Sequence, residues 1–506
     1  MLPVLTAQKM KAEDAHTIHG IGVPSAVLME RASCAVAEEV LNRTVPGSRI
    51  LVLAGSGNNG GDGFACARIL HLGGRYVKIV SVGRPDHRTE ETSRQAAICG
   101  ALGISVEEDA DAGSYDLSGY DVIVDAMLGI GLGGTVSGRI AGWILRVNSA
   151  KAWVIAVDIP SGISADTGSV LGCAVSADMT VTMQCLKPGL LLYPGVHYAG
   201  EVKVAEIGVT DVGMPVDPDS PAAGMRLVET ADLPHILPPR DPSGNKGTFG
   251  KVLAAAGSSG MAGASLFCMK AALAAGCGMV RAVTPSCNRV IVQSAFPEGM
   301  LSCFETPEEA VAAVSASLPW CDAVVLGPGI GTGDAALSMV RTLLEECTKP
   351  VTADADALNL LSEHKELFSL KRCPLVLTPH IGEMSRLTGQ PIAMIKGDPV
   401  KAASEFAAEY GVICVLKDAR TVTALPDGTV YFSRTGNSGM ATAGSGDVLA
   451  GICASLLAQG TTPGVAAAAA VCLHGAAGDA AALKYGERAM TASDLIEGIG
   501  TVLKDI

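Results

Sequence analysis

Short apolar runs, each closed by glycine, proline or an acidic residue, recur along this chain and define its elements. Two helical stretches open it, Thr6–Ile18 and Ser25–Leu41, separated by Gly20, Gly22 and Pro24. Arg49–Ala54 then reads as a strand. Strand-like runs at Tyr76–Val82, Asp121–Ala126, Trp153–Ile159, Met179–Met183 and Glu201–Ile207 repeat the signal, with helical stretches at Thr89–Leu102 and Gly138–Asn148 between the earlier ones. The first run leads through a glycine loop into the helix-like Phe64–Leu72, the opening of a doubly wound unit. Composition shifts over Thr210–Leu237, where Gly213–Pro221 is rich in Pro, Asp and Ser and reads as a linker. A second α/β series follows. Its strands are Lys251–Ala256, Gly278–Val283, Asp322–Leu326, Pro350–Ala353, Pro374–Thr378 and Gly411–Lys417, with a long small-residue helix at Met261–Ala275. The two series share an architecture but no sequence period.

Composition narrows the function. A chain of 506 residues with 48% apolar and 17% charged residues is globular and has room for two or more cores. The net charge of −14 makes it a poor general binder of nucleic acid or of an anionic membrane. Only 4% of residues are aromatic, too few for base-stacking platforms. A phosphorylated ligand would therefore be held by backbone N–H groups and helix ends. The 15 cysteines are scattered without a C-x-x-C, which suits reduced thiols in a cytoplasmic enzyme. Met1–Asp14 lacks a signal-peptide core, no uninterrupted apolar run is long enough to span a bilayer, and Val465–Leu473 reads as a buried helix.

The chemistry-bearing residues stand in loops behind the strands. Gly55–Gly63 places two amides, Asn58 and Asn59, beside Asp62, a set that can hold a ribose, an amide or a hard cation. Asp125–Thr135, Asp158–Gly162 and Lys187-Pro188-Gly189 follow later strands, and such loops meet at one edge of an open parallel sheet. In the second series the corresponding loops are Gly257–Gly260, Gly327–Gly331, Asp354-Ala355-Asp356 and Pro379–Glu383. Ala443-Gly444-Ser445-Gly446-Asp447 runs straight into an apolar helix. That junction turns backbone N–H groups toward an anion and sets a carboxylate beside it.

Taken together these motifs resemble those of the bifunctional NAD(P)H-hydrate repair enzymes, an epimerase joined to a nucleotide-dependent dehydratase, from about Gln8 to Leu503. The resemblance rests on residues 55–63, 125–131, 158–162 and 187–189 in the first half. In the second it rests on 326–331, 354–359, 377–380 and 443–447. It implies an α/β chain with an N-terminal Rossmann-like doubly wound domain over 1–212, a linker over 213–225 and a ribokinase-like α/β domain over 226–506. The implied substrates are NADHX and NADPHX, the C6 hydrates of the two cofactors. R and S forms would be epimerised by the first half, and the S form dehydrated by the second at the expense of ADP or ATP.

By the same resemblance, Asn58, Asn59, Gly60, Gly61, Asp62, Gly129, Ile130, Gly131, Leu132, Gly133, Gly134, Thr135 and Asp158 contact the hydrate in the epimerase half. Asp158 and Lys187 form its acid/base pair, and Asn59, Asp125 and Ser161 hold potassium (K+). In the dehydratase half, Ala264, Gly329, His380 and Asp447 contact the hydrate, with Asp447 as the base. Lys417, Asp418, Ala419, Arg420, Thr421 and Gly446 contact the nucleotide, which brings Mg2+. A homo-oligomer is expected. Three positions depart from the family pattern: Asn245 for His, Ile381 for Pro and Asp418 for Gly. Two other readings remain: a ribokinase-like vitamin or sugar kinase carrying an extra Rossmann-like half, and a non-catalytic dinucleotide-binding scaffold.

Overall fold

A computed structural model describes residues 1–108, 110–210, 224–504 and 506. The chain divides into two compact units, Leu2–Ser220 and Pro221–Ile506. Residues 213–223 of the expected linker lie outside the described residues, and Met225 already begins a strand.

In the first unit, apolar side chains on consecutive positions build strands covered on both faces. Ile50, Leu51, Val52 and Leu53 are all fully buried. The sheet consists of β1 (Arg49–Ala54), β2 (Tyr76–Ser81), β3 (Ser105–Glu108), β4 (Val122–Ala126), β5 (Trp153–Val157), β6 (Met179–Met183) and β7 (Glu201–Ala205). Its order is β3-β2-β1-β4-β5-β6-β7, every pair parallel. The order reverses between β1 and β4, so the loops leaving those two strands part and open a crevice.

The second unit carries a mixed sheet. Its strands are β8 (Met225–Val228), β9 (Lys251–Ala255), β10 (Met279–Pro285), β11 (Met300–Phe304), β12 (Ala323–Leu326), β13 (Val351–Ala353), β14 (Leu375–Leu377), β15 (Ile413–Leu416), β16 (Val422–Ala424) and β17 (Val430–Ser433). They lie in the order β8-β17-β16-β15-β14-β13-β12-β9-β10-β11. From β15 to β11 all pairs are parallel, whereas β15, β16 and β17 pair antiparallel. Here the switch point falls between β9 and β12, where Gly257 N donates to Pro328 O at 2.8 Å. The helix Pro463–Tyr485 is long and apolar enough to cross a membrane by length and composition, yet 78% of its apolar window is buried inside the protein. It is a core helix, as its alanines predict.

Gly138–Asn148 and Met179–Met183 fall where the pattern puts them. Elsewhere the structure departs from it. The Thr6–Ile18 stretch is an α-helix over Ala7–Ala15 followed by a π-helical turn over His16–Ile21. The helix expected from Phe64 begins at Asn58, six residues earlier, so the Asn-Asn-Gly-Gly-Asp segment is its opening turns and not a loop.

Candidate functional sites

The first-unit crevice encloses a cavity of about 610 Å³, lined by Asn58, Asn59, Asp62, Gly129 to Gly133, Asp158 and Lys187, with Lys11 and Asp14 from the first helix. Helix Asn58–Leu72 starts directly behind the extended Gly57, and Gly57, Asn58 and Asn59 line this space at the helix end whose unpaired N–H groups favour anions. Gly60 and Gly61 are buried inside the helix, and Gly134 and Thr135 are exposed; none of these four lines the cavity.

Asp158 and Lys187 meet at its floor. Lys187 is fully buried, and its ammonium donates to Asp158 Oδ1 at 2.5 Å, Thr182 Oγ1 at 2.9 Å and the Met183 carbonyl at 2.9 Å. All three protons of the ammonium are thereby engaged. Asp158 Oδ1 also accepts from Thr182 Oγ1 at 3.2 Å and Met183 N at 3.1 Å. The residue is held at φ 67°, a left-handed conformation that a side chain other than glycine adopts only under constraint. Asp62 has no side-chain hydrogen bond among the described residues. Burial, then the Asp158 charge, then that of Asp14, pushes its carboxyl well above the usual range.

Asn59, Asp125 and Ser161 converge on Leu128. Asn59 Nδ2 donates to the Leu128 carbonyl at 3.0 Å, and Leu128 N donates to Ser161 Oγ at 2.9 Å. Ser161 Oγ in turn donates to Asp125 Oδ1 at 2.6 Å, and Ser161 N to Asp125 Oδ2 at 2.8 Å. Burial raises the Asp125 carboxyl to about 6. Among the described residues, no group of three or more His, Cys, Asp and Glu side chains is arranged for a metal ion. What this corner offers instead is one carboxylate with amide, hydroxyl and carbonyl oxygens, a donor set suited to a large hard monovalent cation.

The second site forms behind Gly444. This residue takes φ 89°, a left-handed turn open to glycine, and ends the loop so that helix Ser445–Ala458 can begin with Asp447 in its first turn. Burial, then the neighbouring Asp354 charge, raises the Asp447 carboxyl to about 7, with Lys417 acting against both. Lys417, at the end of β15, donates to the buried Asp354 at 2.6 Å. A Cβ on Gly446 would lie 3.2 Å from Asp354 Oδ2 and 3.3 Å from Lys417 Nζ, so the turn rests directly on that ion pair. His380 lies beside Lys417 across an isolated parallel bridge. It caps helix Ile381–Thr388: its Nδ1 accepts from Gly382 N at 2.9 Å and Glu383 N at 3.2 Å, while His380 N donates to Glu383 Oε2 at 2.8 Å. Ala264 and Gly329 pack against each other, a Cβ on Gly329 falling 2.9 Å from that of Ala264.

Asp418, Ala419, Arg420 and Thr421 form the turn after Lys417. Asp418 is exposed, and its Oδ1 accepts from Ala419 N at 2.9 Å, so its carboxylate is engaged by its own loop. Ile381 sits at the first position of its helix, where proline would also fit. Asn245 turns on itself, its Oδ1 accepting from Gly247 N at 2.9 Å.

Two family models match the chain. One, described as YjeF-related protein N-terminus, covers residues 25–189; the other, described as NAD(P)H-hydrate dehydratase, covers 252–500. A bifunctional NAD(P)H-hydrate repair enzyme from Moorella thermoacetica is 39% identical over 517 residues, spanning 99% of this chain and 97% of the relative. One from Escherichia coli is 37% identical over 492 residues, spanning 96% and 90%. The chain belongs to this family.

A solved ribokinase-like superfamily protein from Enterococcus faecalis, 29% identical with a TM-score of 0.50, covers 56% of this chain and is itself covered to 96%. As a bifunctional NAD(P)H-hydrate repair enzyme, the chain has an epimerase in its first half and a nucleotide-dependent dehydratase in its second. Within that frame several residues of the two sites escaped the sequence motifs. Lys11 and Asp14 stand three apart on one helical face, a spacing visible in sequence but without a motif to mark it. The pairing of Lys417 with Asp354 joins two strand ends 63 residues apart, which no local pattern reports.

Proposed function

We propose that the two sites act in turn on one damaged coenzyme, the C6 hydrate of NADH or NADPH. The epimerase domain occupies 1–212 and the dehydratase domain 226–506. In the first, Lys187 and Asp158 together hold one transferable proton. That proton passes to the C6 hydroxyl, which leaves as water while the ring-nitrogen lone pair forms a C6=N1 iminium. Water returns to the opposite face and gives a proton back to the pair. Asn58, Asn59, Asp62 and the 129–135 loop bind the dinucleotide, main-chain N–H groups meeting its pyrophosphate. Asn59, Asp125 and Ser161 would hold potassium, which would neutralise the buried Asp125 and fix a coenzyme oxygen.

In the second site Asp447 takes the proton of the C6 hydroxyl, whose oxygen attacks the terminal phosphorus of ADP or ATP as the bond to the bridging oxygen breaks. Gly444 and Gly446 offer N–H groups to the developing charge. The phosphorylated oxygen then leaves as phosphate, the ring nitrogen supplying the electrons. Loss of a C5 proton to that phosphate restores the 5,6 double bond. Lys417 through Thr421 bind the nucleotide, which carries its own Mg2+; Ala264, Gly329 and His380 bind the hydrate. The observation that carries this reading is the contact of Gly446 with the Lys417–Asp354 pair beside Asp447, which puts a base raised to about 7 next to a cation suited to phosphate.

The test is to incubate the protein with mixed R and S NADHX and ADP, then with ATP, and follow absorbance of the reduced nicotinamide. Recovery of both epimers is expected. Recovery of S alone removes the epimerase half of the reading. Accumulation of a stable phosphorylated alcohol, with no reduced nicotinamide, would make the second half a kinase.

A further inference from the structure

Helix Ser445–Ala458 fixes the far side of the phosphate-facing turn, but the run that leads into it has little regular structure of its own. Gly444 and Gly446 flank Ser445, and the run 435–444 that delivers them contains one short 3₁₀ turn, Ser438–Met440. Backbone amides that stabilise transferring charge work only if their direction is set beforehand, because an amide that must reorient during reaction loses most of its benefit. Something outside the turn must supply that rigidity.

The core helix Pro463–Tyr485 contacts the run at four levels. Thr435 Oγ1 donates to the Cys472 carbonyl at 3.0 Å. Gly436 N donates to Asp479 Oδ2 at 2.9 Å, and Asn437 Nδ2 to Asp479 Oδ1 at 2.9 Å, so both oxygens of that carboxylate are spent on the incoming chain. Ser445 Oγ lies 3.3 Å from His474 Nε2, both residues buried. Gly475 leaves room for the approach: a Cβ there would stand 2.2 Å from Thr435 Oγ1. Residues 472, 475 and 479 share one face of the helix, while 474 leaves it in another direction, toward Ser445. The sequence motifs left residues 474–479 unused.

We propose that His474 and Asp479 are positioning residues of the dehydratase site, clamping the run 435–446 to the core helix so that the amides of the Gly444–Gly446 turn and the Asp447 carboxylate are preset for phosphoryl transfer. The inference rests on the reading of Asp447 as the base at that turn. Burial lowers the His474 ring to about 4, so it stays neutral over the working range and serves as a fixed hydrogen-bonding wedge and not as a proton carrier. Asp479 acts where the run begins, His474 where it ends, and the stretch between them is held in register by both.

The experiment uses the full chain and the ADP-dependent dehydration of S-NADHX. Failure of the unmodified protein to convert the hydrate would overturn the underlying reading, whatever the variants do. Given that conversion, His474→Leu is expected to lower kcat by about tenfold or more, the scale of a misdirected oxyanion donor. KM for hydrate and for ADP should stay within about threefold, the signature of an interaction made in the transition state alone. His474→Gln, which keeps a hydrogen-bonding group for Ser445, should recover most of the loss. A His474→Leu kcat within twofold of the parent overturns the proposal, as does a joint shift of kcat and KM that His474→Gln leaves uncorrected. Should His474→Leu not fold, Asp479→Asn decides: a fall in kcat at constant KM supports the clamp, and an unchanged kcat overturns it.

Discussion

Lys187 Nζ lies 2.5 Å from Asp158 Oδ1 in the interior of the first unit, and the same carboxylate oxygen also accepts from Thr182 and Met183. The lysine is buried with its three ammonium protons hydrogen-bonded, the aspartate sits in a left-handed backbone conformation, and each holds the other in place. Removing the lysine leaves a carboxylate buried and unpaired. Lys187→Met should cost about 3 kcal/mol in denaturant unfolding of the first unit. It should also abolish conversion of R to S hydrate while S hydrate is still dehydrated. Preserved epimerisation in that variant would refute the role given to the pair.

Asp447→Asn separates the two activities. It keeps the size and most hydrogen bonds of the side chain but cannot take a proton. Dehydration should fall by at least about a hundredfold, the usual contribution of a general base, with epimerisation unchanged, read by chromatography of the R and S forms. Loss of both activities would contradict the assignment of one reaction to each unit.

The pH profile carries its own sign. Asp447 must be ionised to act, and burial with the Asp354 charge sets its carboxyl at about 7. Dehydration should therefore decline as pH falls through that value and level off above it. Asp354→Asn removes the like charge and frees Lys417 from its partner; both changes favour the ionised form, so the inflection should move to lower pH. An inflection that stays in place or moves up would show that another group controls the rate.

Potassium dependence should be confined to epimerisation. Exchanging K+ for tetramethylammonium is expected to slow interconversion of R and S hydrate and to spare dehydration. Asp125→Asn, which removes the one carboxylate of that corner, should make the residual epimerisation insensitive to the exchange. Equal epimerisation rates in both salts would dismiss the cation site.

Asp418 allows a gain to be tested. Its carboxylate is exposed and engaged by Ala419 N, so its repulsion of a bound phosphate is weakened by solvent. Asp418→Gly should lower KM for ADP by no more than about threefold, in line with an exposed charge worth under about 1 kcal/mol. A tenfold gain would mean the side chain turns toward the nucleotide when it binds.

Much of this architecture was legible because buried parallel strands write themselves as unbroken apolar runs. Ile50 to Ala54 and Ala323–Leu326 are such runs, and the glycine loops behind them marked the ligand edge of each sheet. Strands at the margins lacked the signal. Ser105–Glu108 carries two glutamates because its edge meets water, and Met225–Val228, Val422–Ala424 and Val430–Ser433 are too short to stand out. The early start of the helix at Asn58 was hidden because Asn and Gly are poor helix formers; Gly60 and Gly61 are buried there, and packing outweighs propensity. His474 was invisible for a different reason. A histidine inside an alanine-rich core helix looks like packing until the fold brings Ser445 to it.

The cap at His380 has one more consequence. Two backbone donors occupy its Nδ1, so the hydrogen of the neutral ring must ride on Nε2, and that nitrogen belongs to a side chain more than half exposed. An imidazole locked in this tautomer can recognise lone pairs, such as the oxygen of a nicotinamide carboxamide, but has no vacant nitrogen with which to strip a hydroxyl. On the proposed reading this ring would donate from Nε2, now 3.5 Å from Glu383 Oε1, to an oxygen of the hydrate, and the acid–base work would fall to Asp447.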